Sequence, residues 1–179
     1  MKSKFNYRNS GFTIIELLIF ITINGLLASV ALPRFLSQAQ KAKQTEAKTF
    51  VGTMNRAQQA YYVEHQNVFA PQANFKDLGI GNNTQTESYT YQIVGGGTGQ
   101  SIVTNQAILE RFVNSPLKAY VGGVSATLQP GTNNVVTHSI LCEAVKSAAY
   151  GSVVIGAVNI VKYSAVGPPL CPVNMIVIK

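Results

Sequence analysis

Residues 11–33 read GFTIIELLIFITINGLLASVALP, and this stretch decides the fold. No charge occurs from Leu17 to Leu32. With Phe12 to Ile15 in front and Arg34 behind, the run is long enough to cross ~30 Å of hydrocarbon as a helix. Upstream, MKSKFNYRNS carries Lys2, Lys4 and Arg8 and no acid. The positive-inside tendency keeps such a flank in the cytoplasm and sends the rest of the chain outside. Glu16 is the exception in the apolar run. A carboxylate inside a bilayer costs ~2.5 kcal/mol or more, so Glu16 needs a partner or a place near the interface.

Composition fits a chain of two characters. Of 179 residues, 46% are hydrophobic but only 12% charged, against about 25% charged in ordinary globular proteins. A mean hydropathy of +0.15 is too high for disorder and too low for a multi-pass membrane protein. The formal charge of +7 raises nucleic acid or anionic lipid as partners. Removing Lys2, Lys4 and Arg8 from the 14 cations leaves eleven against seven acids, several of them on the segment between Arg34 and Arg56. The basicity is therefore mostly topology and helix-face charge, and DNA as a partner has no further support.

Gly11-Phe12-Thr13-Ile14-Ile15-Glu16, behind a short basic leader, resembles the processing site of type IV prepilins. Gly25 and Pro33 fall where that family places a helical Gly and a helix-kinking Pro. The resemblance to type IV pilins and pseudopilins covers roughly residues 8–65. Ser37-Gln38-Ala39, Glu46-Ala47-Lys48 and Asn55 to Tyr61 look most like cyanobacterial pilins. The resemblance implies a leader 1–11, cleavage after Gly11 by a prepilin peptidase, and N-methylation of Phe12. It also implies a membrane and assembly helix 12–33. In a filament, the Phe12 amine of one subunit would pair with Glu16 of its neighbour, a register check more than a source of net stability. Thr22 and Asn24 depart from the family's aliphatic pattern. Thr returns a hydrogen bond to its own helix, whereas Asn cannot be fully satisfied that way. Asn24 either bonds between helices or weakens membrane retention. A conventional secretory signal cut after Ser29-Val30-Ala31 is the rival reading. Glu16 argues against it, and a mature terminus at Phe12 rather than Leu32 separates the two.

Residues 34–65 read as an amphipathic helical half, with Leu36, Ala39, Ala42, Phe50, Met54, Ala57 and Tyr61 on the face packed against a domain. Pro33 should bend or locally melt the helix. Residues 66–88 read as a surface connection. Strand-like runs follow at Tyr89–Val94, Ser101–Thr104, Leu117–Leu128 (broken by Gly122-Gly123), Val135–Cys142, Val153–Val161 and Asn174–Ile178. Asn105–Asn114 could be a short helix. The fold class is α+β: a long N-terminal helix and a C-terminal antiparallel sheet over 66–179, the pilin arrangement.

Cys142 and Cys171 form one disulfide if the chain is exported, or else stay as two buried thiols. The bridge would close about 30 residues and resemble the pilin "D-region", a loop that the likeness puts on the outer surface of a pilus.

No catalytic, metal or cofactor set stands out. Gly95-Gly96-Gly97-Thr98-Gly99 lacks the Lys-Ser/Thr of a phosphate loop and reads as a hairpin loop. His138, on an alternating strand, reads as a surface or packed residue rather than a general base. Asn82-Asn83-Thr84 fits a glycosylation pattern. The function expected is a structural subunit of a type IV pilus, not an enzyme. Its partners would be the prepilin peptidase, other pilin subunits, an inner-membrane platform with its ATPase, and membrane lipid before assembly. The alternatives are a minor pilin or pseudopilin of a secretion or DNA-uptake machine, and a membrane-anchored or secreted binding module.

Overall fold

In the computed structural model, the structure describes residues 11–82, 84–132, 134–151, 160–164 and 167–178. They fall into two compact units, one up to Ala39 and one from Gln40 onward. The helix α1, Ile14–Glu64, contributes residues to both.

In the first unit every residue from Gly11 to Gln38 is exposed. The side chains are apolar all round, which is the pattern of a helix that meets lipid or other helices. The helix runs on through Gly25 and Pro33 without a break. Local melting at Pro33 is therefore not what the chain does. One missing N–H removes a single bond at Ser29 O, and the turns on either side keep their ladders.

The second unit packs residues 47–62 of α1 on a five-stranded sheet. The strands are β1 Tyr89–Gly95, β2 Ile102–Leu109, β3 Tyr120–Leu128, β4 Val135–Ala144 and β5 Met175–Val177. All neighbours are antiparallel and the spatial order follows the sequence. Ala47, Val51, Met54, Tyr61 and Tyr62 from the helix meet Tyr89, Tyr91, Ile93, Val103, Tyr120 and Val124 from the sheet. On the opposite sheet face, Val121, Cys142, Ala144, Val161 and Met175 form a smaller cluster. The period-2 alternation of β3 serves both: Tyr120 and Val124 face the helix, Val121 the other side.

Several expectations change. Leu36 and Ala42 do not join the buried face, whereas Ala47, Val51, Asn55, Gln58 and Tyr62 join Met54 and Tyr61 there. Residues 105–109 are strand, not helix, since Asn105 and Gln106 are buried in register against Gly122 and Val121. Gly122-Gly123 does not interrupt β3. A Cβ on Gly122 would stand 2.7 Å from Val51 Cγ1 of the helix, and one on Gly123 would overlap Val161 Cγ2 on the other face. These glycines are where the layers on both sides come closest. The connection 66–88 contains a 3₁₀ helix, Gln72–Leu78, anchored by buried Phe75 and Leu78. Of Val153–Val161, residues 153–159 lie outside the described residues, and 160–161 are not strand. Cys142 lies inside β4 rather than at its end, and it is bonded to Cys171 with Cα atoms 5.8 Å apart.

Candidate functional site

The start of α1 gathers three of the residues singled out from the sequence. Gly11, Phe12 and Thr13 precede the helix, and the Phe12 side chain is 74% exposed. Thr13 is the N-cap. Its Oγ accepts the Glu16 N–H at 3.3 Å, and its carbonyl accepts the Leu17 N–H at 3.1 Å. The Thr13 hydroxyl also makes a long 3.5 Å contact to Glu16 Oε2. Thr13-x-x-Glu16 thus has the capping-box spacing with the threonine half made: Thr13 Oγ satisfies the Glu16 N–H, one of the groups left over in the first turn. The sequence carries this signal openly, as Thr followed three residues later by Glu, and the sequence reading missed it. Glu16 consequently has a local partner at the helix start, and it remains exposed.

Beyond this cap the helix offers only apolar surface from Leu17 to Ile21. Ile14, Leu17, Leu18, Phe20 and Ile21 are all more than half exposed. A patch of this extent on a soluble surface marks an interaction site. The polar exceptions bond inward: Thr22 Oγ donates to Leu18 O at 3.0 Å and Ile19 O at 2.9 Å, and Ser29 Oγ donates to Leu26 O at 2.7 Å. Gly25 has open space where a Cβ would stand, so no contact among the described residues demands glycine there.

The second unit holds helix and sheet together partly through polar groups. Gln58, fully buried, donates from Nε2 to Ala70 O and accepts the Ala70 N–H at Oε1, each at 2.9 Å. Asn55 donates to Ile140 O at 2.8 Å and accepts from Asn105 Nδ2 at 2.9 Å. Tyr89 donates to Lys118 O at 2.8 Å and Tyr120 to Gln44 Oε1 at 3.2 Å. Burial raises both phenols far above their ordinary range and pushes Tyr91 up to about 12. At the surface, Lys43 bonds Glu87 at 3.0 Å, and that hydrogen bond and charge hold the carboxyl below its usual value. This pair and Arg111 line a groove of about 320 Å³. His138 lines another of about 240 Å³ with Thr127, Gln129 and Pro130, with no acid among the lining residues. Among the described residues no His, Cys, Asp or Glu cluster could hold a metal ion.

Three relatives share parts of the sequence. The type IV major pilin of Myxococcus xanthus is 45% identical over 62 residues, 35% of this chain and 28% of the pilin. The type IV wide pilus major component of Thermus thermophilus is 31% identical over 84 residues, 47% of this chain and 63% of that protein. The type II secretion system core protein G of Pectobacterium carotovorum is 27% identical over 89 residues, 50% of this chain and 57% of that protein. The matches thus span less than two thirds of each relative. No solved structure matches the chain. The family model described as type IV pilin-like G and H matches residues 44–156, which take in the packed part of α1 and strands β1 to β4. With more than half of its residues inside that match, behind a helix that is apolar and exposed throughout its first half, the chain belongs to the type IV pilin-like G and H family.

Proposed function

We propose that the chain is a structural, non-enzymatic subunit of a type IV pilus. The observation that carries this reading is the helix Ile14–Glu64. Its first half presents an exposed, mostly apolar surface, while its second half buries one face against a sheet whose first four strands the family model covers. In this reading residues 1–11 are a leader, and a prepilin peptidase cuts after Gly11 and methylates the new Phe12 amine. Gly11 and Phe12 lie before the helix and are exposed, which leaves this bond open to a peptidase. Residues 12–33 then hold the subunit in the inner membrane as a single pass. Residues 34–65 and the domain 66–179, with its Cys142–Cys171 bond, stand outside.

Assembly moves the apolar helix from lipid to a core of like helices. Lipid is as apolar as leucine, so that transfer gains through packing and interhelical hydrogen bonds. Once the helix has left the membrane, the alternative is water. There each exposed Leu or Phe costs ~1.5–3 kcal/mol, which keeps the filament closed. The Phe12 amine of one copy meets Glu16 of the next and sets register. Extraction itself needs a membrane platform and an ATPase supplied by other proteins.

The reading is tested by mass spectrometry of filaments sheared from cells. The expected result is a dominant subunit beginning at methylated Phe12. A protein confined to membranes would instead favour the pseudopilin role, to which the Pectobacterium relative lends support by its name. A mature terminus at Leu32 would overturn both.

A further inference from the structure

The apolar segment of α1 carries three polar side chains that the roles above do not use, Thr22, Asn24 and Ser29, and the amide of Asn24 differs from the two hydroxyls in its hydrogen bonding. The Thr22 hydroxyl hydrogen bonds the carbonyls of Leu18 and Ile19, 3.0 and 2.9 Å away. The Asn24 amide donates to Phe20 O at 2.7 Å, which uses one of its two N–H groups. Its second N–H and its Oδ1 find nothing in the helix, because the backbone N–H groups around them already bond the carbonyls four residues back. In water this is harmless. In lipid or among packed helices an unpaired amide is costly.

Thr22 and Asn24 stand two residues apart, about 200° around the helix axis. They occupy opposite faces and cannot serve each other within one chain. Two copies side by side can do so, the Asn24 face of one against the Thr22 face of the next. Resting on the filament reading, we propose that Asn24 and Thr22 form a polar pair between adjacent copies of this chain. The free Asn24 N–H donates to a Thr22 Oγ lone pair. When the threonine hydroxyl turns from its own helix, Asn24 Oδ1 accepts from it.

Two properties of this contact suit a filament. It joins different faces of identical subunits, so it does not close on itself but propagates. Its stagger also agrees with the other proposed pair. Setting the Phe12 amine beside Glu16 of a neighbour displaces the copies by four residues, about 6 Å along the helix. Setting Thr22 beside Asn24 displaces them in the same direction by two residues, about 3 Å. The difference is within the reach of an Asn and a Glu side chain.

The full chain carrying Thr22→Cys and Asn24→Cys together, expressed in piliated cells, tests this. Oxidised, sheared filaments should run on a non-reducing gel as a ladder of dimers, trimers and longer species. With Cys142 and Cys171 bonded to each other, each chain carrying only one of the two added cysteines can give dimers at most. Filaments that form but yield nothing above background overturn the pair. So do Asn24→Cys dimers as abundant as the ladder, which would mean a symmetric contact. Should the double variant not assemble, Asn24→Leu decides: filament recovered after mild heating should fall about threefold to tenfold, and unchanged recovery overturns the pair. Wild-type filaments are the control. Their absence would remove the filament reading itself, whereas filaments without a ladder remove only the pair.

Discussion

A Cβ on Gly122 would overlap Oδ1 of Asn55, the side chain by which the helix reaches across to β2 and β4. Gly122→Ala must therefore displace either the helix or this hydrogen-bond bridge. Val51 Cγ1, 2.7 Å away, blocks the other direction of escape. Overpacking of this kind costs about 1–3 kcal/mol. Thermal unfolding of the full chain in detergent should show a lower midpoint, with Asn55→Ala partly relieving it in the double variant.

Gln58 replaces a turn of regular structure by bonding both polar atoms of Ala70. Gln58→Leu keeps the volume but strands a buried N–H and a buried C=O. At about 1–3 kcal/mol for each orphaned group, it should be among the most destabilising single changes in the domain. Denaturant unfolding checks this. Gln59→Leu one residue on, half-buried and bonded only to Thr137 Oγ1, should change stability by well under half as much.

These two positions also show where the sequence is legible and where it is not. The apolar stretch 12–32 announces itself by length alone, and β1, β4 and β5 by β-branched and aromatic runs between turn residues. The helix face misleads because Asn55 and Gln58 are polar by composition but buried by partnership, and their partners lie on other elements. The Gly122-Gly123 pair reads as a strand breaker until the layers above and below it are known. Asn105 is of a type depleted in strands and Gln106 is a good helix former, yet pairing with β3 places them in a central strand. The Thr13 cap is local and readable. It is overlooked because Glu16, an acid in an apolar run, points first to a partner in another subunit.

The buried phenols give the domain an alkaline limit. Tyr91 holds its proton up to about 12, and Tyr89 and Tyr120 hold theirs higher still. The folded state binds these protons more tightly than the unfolded chain does. Their contribution is complete below the ordinary tyrosine value near 10 and is lost as pH rises through the folded values. The tyrosinate absorbance of these buried phenols should appear together with unfolding, in one step that coincides with the loss of tertiary structure. Tyr91→Phe should raise the pH at which unfolding begins.

Reduction of Cys142–Cys171 should lower stability by about 3–4 kcal/mol in the chain-entropy treatment. Its effect should be regional. The bond fastens the segment before β5 to β4, so hydrogen exchange should rise first at Met175–Val177 and along Cys142–Ala144, their partners in the ladder. The helix residues 47–62 should keep their protection until global unfolding. The same reduced protein, assayed by hydrogen exchange and by thermal unfolding, checks both parts.

Thr13 and Glu16 separate two roles of one carboxylate. As part of the cap, Glu16 depends on Thr13. As the proposed partner of a neighbouring Phe12 amine, it does not. Thr13→Ala removes the Oγ that holds the Glu16 N–H and should cost the helix start about 1 kcal/mol, leaving the negative charge in place. Glu16→Gln keeps the side chain's length and a polar tip but removes the charge. If charge pairing between copies sets register, Thr13→Ala should be processed and should assemble at close to wild-type yield. Glu16→Gln should be processed but lose most of its filaments, because the neighbour's amine is left buried and unpaired. Sheared-filament yield, with the membrane pool measured alongside, decides between the two. Equal losses in both variants would assign Glu16 to the cap alone.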